Sequence, residues 1–351
     1  MGGAKAGQIF LLQALSMKAL RFYGTQDIRL EDIPPPSHIP PGHVRLQVLA
    51  AGVCGSDLHN LKTGQWISQL PVTPGHEFCA RITELGAGVS GFAVGERVVV
   101  DSRANCGDCD HCRSGAGNLC RHMGFVGEVC DGGFAEQSVQ PQHRLLKVAD
   151  GVADEVAALA EPLGVALRVL TRLKATPGAP VLIAGGGPIG GLAAIVLRAL
   201  DDRPVYLIER NTARARLLQE VCGVIPVEGD GAAIHAAMQG SEPAFCIEAT
   251  GNAAVLETLV QTVAAGGRIA LVGLSAGPTP LSSNTLVERE IELVGCSVFR
   301  DEQRQAVQLL ERLSPLLTQV IDGPVSLGEI IAVYQAAGSG ACARLKTIIK
   351  P

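Results

Sequence analysis

The run "VLIAGGGPIGGLAAIVLRAL", residues 181–200, passes from four apolar residues through a glycine-rich turn into a stretch with apolar residues at helical spacing. It reads as a strand, a tight turn and a helix. Gly185, Gly187 and Gly190 stand in the order G-x-G-x-x-G, with Pro188 and Ile189 opening the helix. The first glycine permits the turn, the second lets a pyrophosphate approach the backbone, and the third lets helix and strand pack closely. The helix N-terminus receives the negative charge. A glycine turn alone is weak support for a nucleotide site, but Glu209 ends the next apolar strand, "VYLIE" (205–209). A carboxylate there accepts hydrogen bonds from ribose hydroxyls and repels a 2′-phosphate, so NAD is expected rather than NADP. Arg210, next in the chain, is the one neighbour that favours a phosphate.

Outward from this turn the same rhythm continues: a helix through Arg214 and Leu218, "FCIEAT" (245–250), a helix from about 253, "RIALVG" (268–273) and "ELVGCSVF" (292–299). Strands alternating with helices give βαβ units and a doubly wound parallel sheet, so an α/β class is expected. Before residue 164 the texture differs. Short β-like runs such as "HVRLQVLAAGV" (43–53) and "ERVVVD" (96–101) are separated by turn signals such as "IPPPSHIPPG". That segment predicts a β-rich domain. Helical stretches and a last strand, "RLKTIIK" (344–350), follow residue 300.

The chain has 351 residues, enough for two domains, and a net charge of −5 without any basic run. A nucleic-acid surface is not expected. No apolar run approaches the ~20 residues of a membrane span. At the start, Lys5 followed by Ile9 to Leu12 offers too short an apolar core for a secretory signal. Eleven cysteines, an odd number in a chain of this size, suit thiols in a reducing cytoplasm better than a disulfide framework.

Four of those cysteines, Cys106, Cys109, Cys112 and Cys120, are spaced C-x2-C-x2-C-x7-C. Four thiolates make a closed tetrahedral zinc site, which contributes folding energy and leaves no position for a substrate. An iron–sulfur run of the bacterial ferredoxin kind would continue x3-C-P, whereas here the fourth cysteine comes after seven residues and precedes Arg121. A redox-active C-x-x-C pair belongs beside a helix in a thioredoxin-like fold, and this one lies among turn formers.

A second, dispersed set occurs in "CGSDLH" (54–59), "GHE" (75–77) and "EPLGVAL" (161–167). Cys54 and His76 supply sulfur and imidazole, and Glu77 or Glu161 a carboxylate, leaving an open fourth zinc position. An open zinc is a Lewis acid that lowers the pKa of an alcohol. Each residue also has an ordinary explanation, as a small buried thiol, a core histidine or a helix-start carboxylate.

Taken in order, these motifs resemble the zinc-dependent medium-chain dehydrogenase/reductase family from Met17 onward, and "EPLGVAL" in particular resembles its sorbitol (polyol), butanediol and threonine dehydrogenase branch. There a glutamate replaces the cysteine found near zinc in liver-type alcohol dehydrogenases. The resemblance implies a GroES-like catalytic domain (17–163, with 301–351 returning to it), a Rossmann domain (164–300) and a cleft between them. Residues 1–16 have no family counterpart and are expected to be disordered or an upstream start.

By motif, the resemblance also implies one catalytic zinc on Cys54, His76 and either Glu77 or Glu161, and one structural zinc on the four clustered cysteines. Ser56 would receive the proton of the substrate hydroxyl and His59 pass it on, while Asp57 orients His76. Lys346 would lie against the pyrophosphate. Thr250, Gly251 and the backbone of Val272, Gly273 and Leu274 would line the nicotinamide, and Arg210 and Arg214 are further cofactor-binding candidates. Ala80 stands where the family usually has glycine.

The expected activity is oxidation of a secondary alcohol (a polyol, sugar alcohol or vicinal diol) to its ketone with NAD. Simple, hydrophobic or cyclic alcohols are the alternative, and a catalytically silent dinucleotide-binding protein is the alternative of another class. Leu61, Trp66, Phe125 and Phe299 are candidates either for the substrate pocket or for the core. Family members are homodimers or homotetramers, and "ELVGCSVF" is an expected edge strand for pairing.

Overall fold

The computed structural model describes residues 16–275, 277–337 and 342–351. The N-terminal extension expected over 1–16 lies outside the described residues but for Ser16. Two compact units emerge. One takes in the described parts of Met1–Glu161, Ile321–Gly340 and Lys346–Pro351, the other those of Pro162–Val320 and Ala341–Leu345.

The first unit opens with an antiparallel hairpin, β1 (Met17–Gly24) and β2 (Asp27–Ile33), turned at Gln26. β3 (His43–Gly52) leads into helix α1 (Gly55–Thr63), and β4 (Glu77–Leu85) and β5 (Arg97–Val100) follow. After the short helix α2 (Asp110–Arg113) come β6 (Gln137–Pro141), β7 (Leu145–Lys147) and α3 (Asp154–Ala157). Alternating residues of these strands, Val44, Leu46, Val48, Ile82, Val98 and Val100, close one core with Phe78 and Phe134.

Helix α4 (Ala160–Leu173) leads into the second unit, built of β8 (Val181–Ala184), α5 (Pro188–Asp201), β9 (Val205–Ile208), α6 (Thr212–Cys222), β10 (Ile225–Pro226), α7 (Gly231–Ala237), β11 (Phe245–Glu248), α8 (Ala253–Thr262), β12 (Arg268–Leu271), α9 (Ser283–Glu288), β13 (Glu292–Gly295) and α10 (Glu302–Leu317). Its six strands are all parallel, in the order β10-β9-β8-β11-β12-β13. In order along the chain this is 3-2-1-4-5-6, the doubly wound arrangement, and the strand order reverses between β8 and β11. Both faces are covered by helices, which explains why β8 is buried at every residue and shows no alternation.

The chain then adds β14 (Ile321–Ser326), α11 (Ile330–Ala337) and β15 (Lys346–Lys350) to the first unit, completing a sheet ordered β14-β15-β3-β4-β5-β7 with β6 on β3. One boundary differs from the sequence reading, which returned everything after 300 to the first domain. Residues 301–320 and 342–345 stay in the second unit. The reason is packing: Ala306, Leu310, Leu313 and Leu317 of α10 are fully buried, and Gly164 of α4 lets the backbone of Gln303 come so close that a Cβ there would stand 3.0 Å away.

Candidate functional site

Two groups of metal-ligating side chains come together among the described residues. The first is the cysteine cluster. Sγ–Sγ distances are 3.5 Å for Cys106–Cys120, 3.6 Å for Cys109–Cys112, and 4.0 Å for Cys106–Cys112 and Cys109–Cys120. Ligands about 2.3 Å from a tetrahedral zinc lie about 3.8 Å apart, so the cage already has the size of that ion. It is much too wide for disulfides, whose sulfurs are about 2 Å apart. The N–H groups of Cys106 and His122 donate to Cys120 Sγ, and those of Arg121 and Cys112 pull Cys109 down to about 6. Backbone donors thus favour thiolate in part of the set before any metal arrives.

The second group is Cys54, His76 and Glu77, whose ligand atoms lie within 4.8 Å of one another. Local structure explains how each is presented. Cys54 is the N-cap of α1, and its N–H is taken by Asp57 Oδ2 at 2.8 Å. The other Asp57 oxygen stands 3.8 Å from His76 Nδ1. Glu77 opens β4 opposite Gly52 of β3, which itself pairs with Ile348 of β15. A side chain at Gly52 would overlap Glu77 Oε2 and crowd Lys346 Cδ, so glycine is required for the two to meet there.

Lys346 Nζ donates to Glu77 Oε1 at 2.7 Å and to the carbonyl of Val53 at 3.1 Å. Burial works against its charge, but Glu77 and Cys54 outweigh that and hold the ammonium above its ordinary range. The sequence reading set Lys346 against a pyrophosphate; here the ammonium is committed to Glu77, because β15 inserts beside β3.

Glu77 Oε2 is buried and has no hydrogen-bond partner among the described residues. A buried carboxylate oxygen without a donor, beside a thiol and an imidazole, suits a cation and fits the soft–borderline donor set of zinc. Glu161, the alternative carboxylate, lies outside this group of three: its Oε1 accepts from Ser102 Oγ at 2.8 Å. Burial, with Glu77 adding to it, pushes Glu161 up to about 7.

Ser56 and His59 sit three residues apart on α1 and so share a face. The His59 ring lies on Trp66 with centroids 4.5 Å apart, and its Nε2 is 2.8 Å from Gln65 Oε1. Phe125 is half-buried, its ring 6.4 Å from that of His76. Leu61 packs against the core of the first unit and Phe299 is fully buried.

In the second unit the glycine loop leaves β8 at the point where strand order reverses. Gly185 has φ +97°, and a Cβ there would stand 2.9 Å from Thr250 Cγ2. A Cβ on Gly190 would overlap the carbonyl oxygen of Gly185, whereas one on Gly187 would meet nothing within 4 Å. Backbone open at Gly187, beside Pro188 and Ile189 at the helix N-terminus, is a cradle for a phosphate. Glu209 is fixed by the N–H groups of Gly186 (2.8 Å) and Asn211 (2.7 Å), with Arg214 3.5 Å away. Arg210 is exposed. Leu274, expected against the nicotinamide, is 78% exposed, and Thr250 is exposed too.

Sequence reasoning missed Glu248. Buried at the end of β11, it accepts from the N–H groups of Thr250 and Gly251 and from the Thr250 hydroxyl, and its carbonyl accepts from Val272 and Gly273. It thereby shapes both loops expected to carry the nicotinamide. An acidic residue ending a buried strand was the available signal.

Residues 40–150 match the family model described as Alcohol dehydrogenase GroES-like domain, and residues 188–312 that described as Zinc-binding dehydrogenase. An L-threonine 3-dehydrogenase of Mesorhizobium japonicum is 30% identical over 298 residues, covering 80% of this chain and 83% of that one. The crystal structure of 2R,3R-butanediol dehydrogenase from Bacillus subtilis is 30% identical with a TM-score of 0.88, covering 96% of this chain and all of that one. A structure from Sinorhizobium meliloti 1021 bound to NADP is 27% identical with a TM-score of 0.86, covering 96% and 99%.

Proposed function

Because the chain belongs to the zinc-dependent medium-chain dehydrogenase family, and is thus an oxidoreductase, we propose that it oxidises a secondary alcohol, a polyol, sugar alcohol or vicinal diol, to the ketone with NAD. The observation that carries this reading is the grouping of Cys54, His76 and Glu77 around an unpartnered buried carboxylate oxygen, in a chain that also carries an open glycine loop. Zinc on those three residues would supply a Lewis acid for the alcohol, and the nicotinamide would supply the hydride acceptor. Ser56 takes the hydroxyl proton and His59, held by Gln65 and Trp66, passes it on toward solvent. Asp57 keeps His76 oriented. The hydride leaves the carbinol carbon, so alcohol and NAD become ketone, NADH and one released proton. The carboxylate of Glu209, aimed by two backbone donors, supports NAD over NADP.

Phe125 beside His76 favours a second reading, in which simple or cyclic apolar alcohols are the substrates. A screen of diols, sugar alcohols and cyclic alcohols with NAD and with NADP, read at 340 nm, separates the two. Cys54→Ala and His76→Ala should bind NADH normally and lose turnover by several orders of magnitude; retained wild-type turnover in either would refute the mechanism. The protein is further proposed to work as a homodimer or homotetramer, with the edge strand β13 available for pairing.

A further inference from the structure

Glu128 is a carboxylate that the proposed mechanism does not use. It is only 6% exposed, and Asn60 of α1 donates to its Oε1 at 3.0 Å. Its backbone is pinned as well: its N–H donates to Phe125 and its carbonyl accepts from Ser68. Asn60 in turn accepts from the N–H of Trp66 through Oδ1, so the side chain that orients Glu128 is itself oriented. The second oxygen, Oε2, has no hydrogen-bond partner among the described residues, yet it is not among the buried atoms cut off from solvent.

A carboxylate that is almost wholly buried, fixed on one side and open on the other, is costly unless something donates to it. Its position says what that donor is. Glu128 follows Phe125 in one turn, Phe125 flanks His76, and Asn60 lies on the same helix as Asp57 and Ser56. Burial pushes the Glu128 carboxyl up, and the Asn60 hydrogen bond opposes that shift.

We infer that Glu128 is a specificity residue whose free oxygen accepts a hydrogen bond from a hydroxyl or ammonium group on the carbon beside the one oxidised. The inference rests on the reading of the site as a secondary-alcohol dehydrogenase and narrows it: a bare alcohol leaves Glu128 unsatisfied, whereas a vicinal diol or amino alcohol supplies the donor. Asn60 is then a positioning residue, because it acts through Glu128.

The test compares kcat/KM of the zinc-loaded enzyme for butane-2,3-diol, 3-aminobutan-2-ol and butan-2-ol, in wild type and Glu128→Gln. Gln keeps an oxygen for Asn60 and removes the charge. The preference of wild type for the better of the two donor-bearing substrates over butan-2-ol should fall roughly 10- to 100-fold, the span expected for a hydrogen bond to a charged group, with the loss mainly in KM. Asn60→Asp, which places a second carboxylate against Glu128, should lower the same ratio. Zinc content and melting temperature serve as folding controls, and Glu128→Asn is the second variant if Gln unfolds. An unchanged ratio in a folded, zinc-replete variant, or a wild type without preference over butan-2-ol, overturns the inference. A wild type that oxidises none of the secondary alcohols overturns the underlying reading instead. Whether the diol or the amino alcohol loses more tells hydroxyl from ammonium.

Discussion

Replacing Lys346 by methionine removes an ammonium from a place solvent does not reach and leaves its partner behind. The Lys346 and Glu77 side chains are 2% and 1% exposed, and the 2.7 Å contact between them is the only hydrogen bond to either carboxylate oxygen among the described residues. Methionine nearly fills the space of the lysine stem, so little packing is lost. The effect is that of an uncompensated buried charge, about 3–5 kcal/mol. For a unit of this size each kcal/mol moves the melting temperature by about 2–4 °C, so the transition should fall by roughly 6–20 °C. Scanning calorimetry on protein stripped of the metal at Cys54, His76 and Glu77 reads this directly, because a cation held there would itself offset the lost ammonium. Removing both charges, in Lys346→Met with Glu77→Gln, should restore at least half of the loss, because the pair is far less costly to delete than to break. A single variant melting within about 3 °C of wild type, or a double variant at the sum of the singles, would show that Lys346 is not what neutralises Glu77.

The glycine loop and the cysteine cage can be tested as sharply. Gly187→Ala meets open space at φ −66° and should melt like wild type while binding NADH at least tenfold more weakly by fluorescence titration; unchanged binding would mean that no ligand approaches that backbone. Gly190→Ala overlaps the Gly185 carbonyl and should lose both binding and about 1–3 kcal/mol of stability, seen in denaturant unfolding. Cys112→Ala should lose one zinc equivalent by elemental analysis, together with stability; full zinc content and an unchanged melt would contradict a structural site. Zinc binding at the cage needs thiolates, and although Cys109 is lowered to about 6, Cys106 is raised to about 12, chiefly by its hydrogen bond to Asp108. Protons therefore leave as metal enters, and affinity falls with falling pH. Chelator should strip this zinc faster at pH 6 than at pH 8, and equal rates would count against thiolate ligation.

What could be read along the chain was whatever depends on neighbours in sequence. The strand, glycine turn and helix at 181–200 follow from local sterics and periodicity, and the repeated alternation after it was enough for a doubly wound parallel sheet. The cysteine cage is legible for the same reason, since all four sulfurs come from one fifteen-residue stretch and the spacing alone limits what they can enclose.

The choice between Glu77 and Glu161, the partner of Lys346 and the role of Glu128 were not legible, because each is set by strand register or by contacts between distant segments. Lys346 and Glu77 are 269 residues apart and meet only because β15 pairs with β3 at Gly52, the residue that also faces Glu77 on β4. Asn60 and Glu128 meet across 68 residues. The same holds for α10, which keeps residues 301–320 in the second unit by burying an apolar face whose partner no local pattern names. Sequence by itself determined a β-rich first part, an alternating α/β second part and the spacing of the candidate ligands, since periodicity and ligand spacing act over a few residues. Tertiary structure decided which carboxylate faces the thiol and imidazole and which charge answers it, since a register shift of one residue would turn each of those side chains to the opposite face of the sheet.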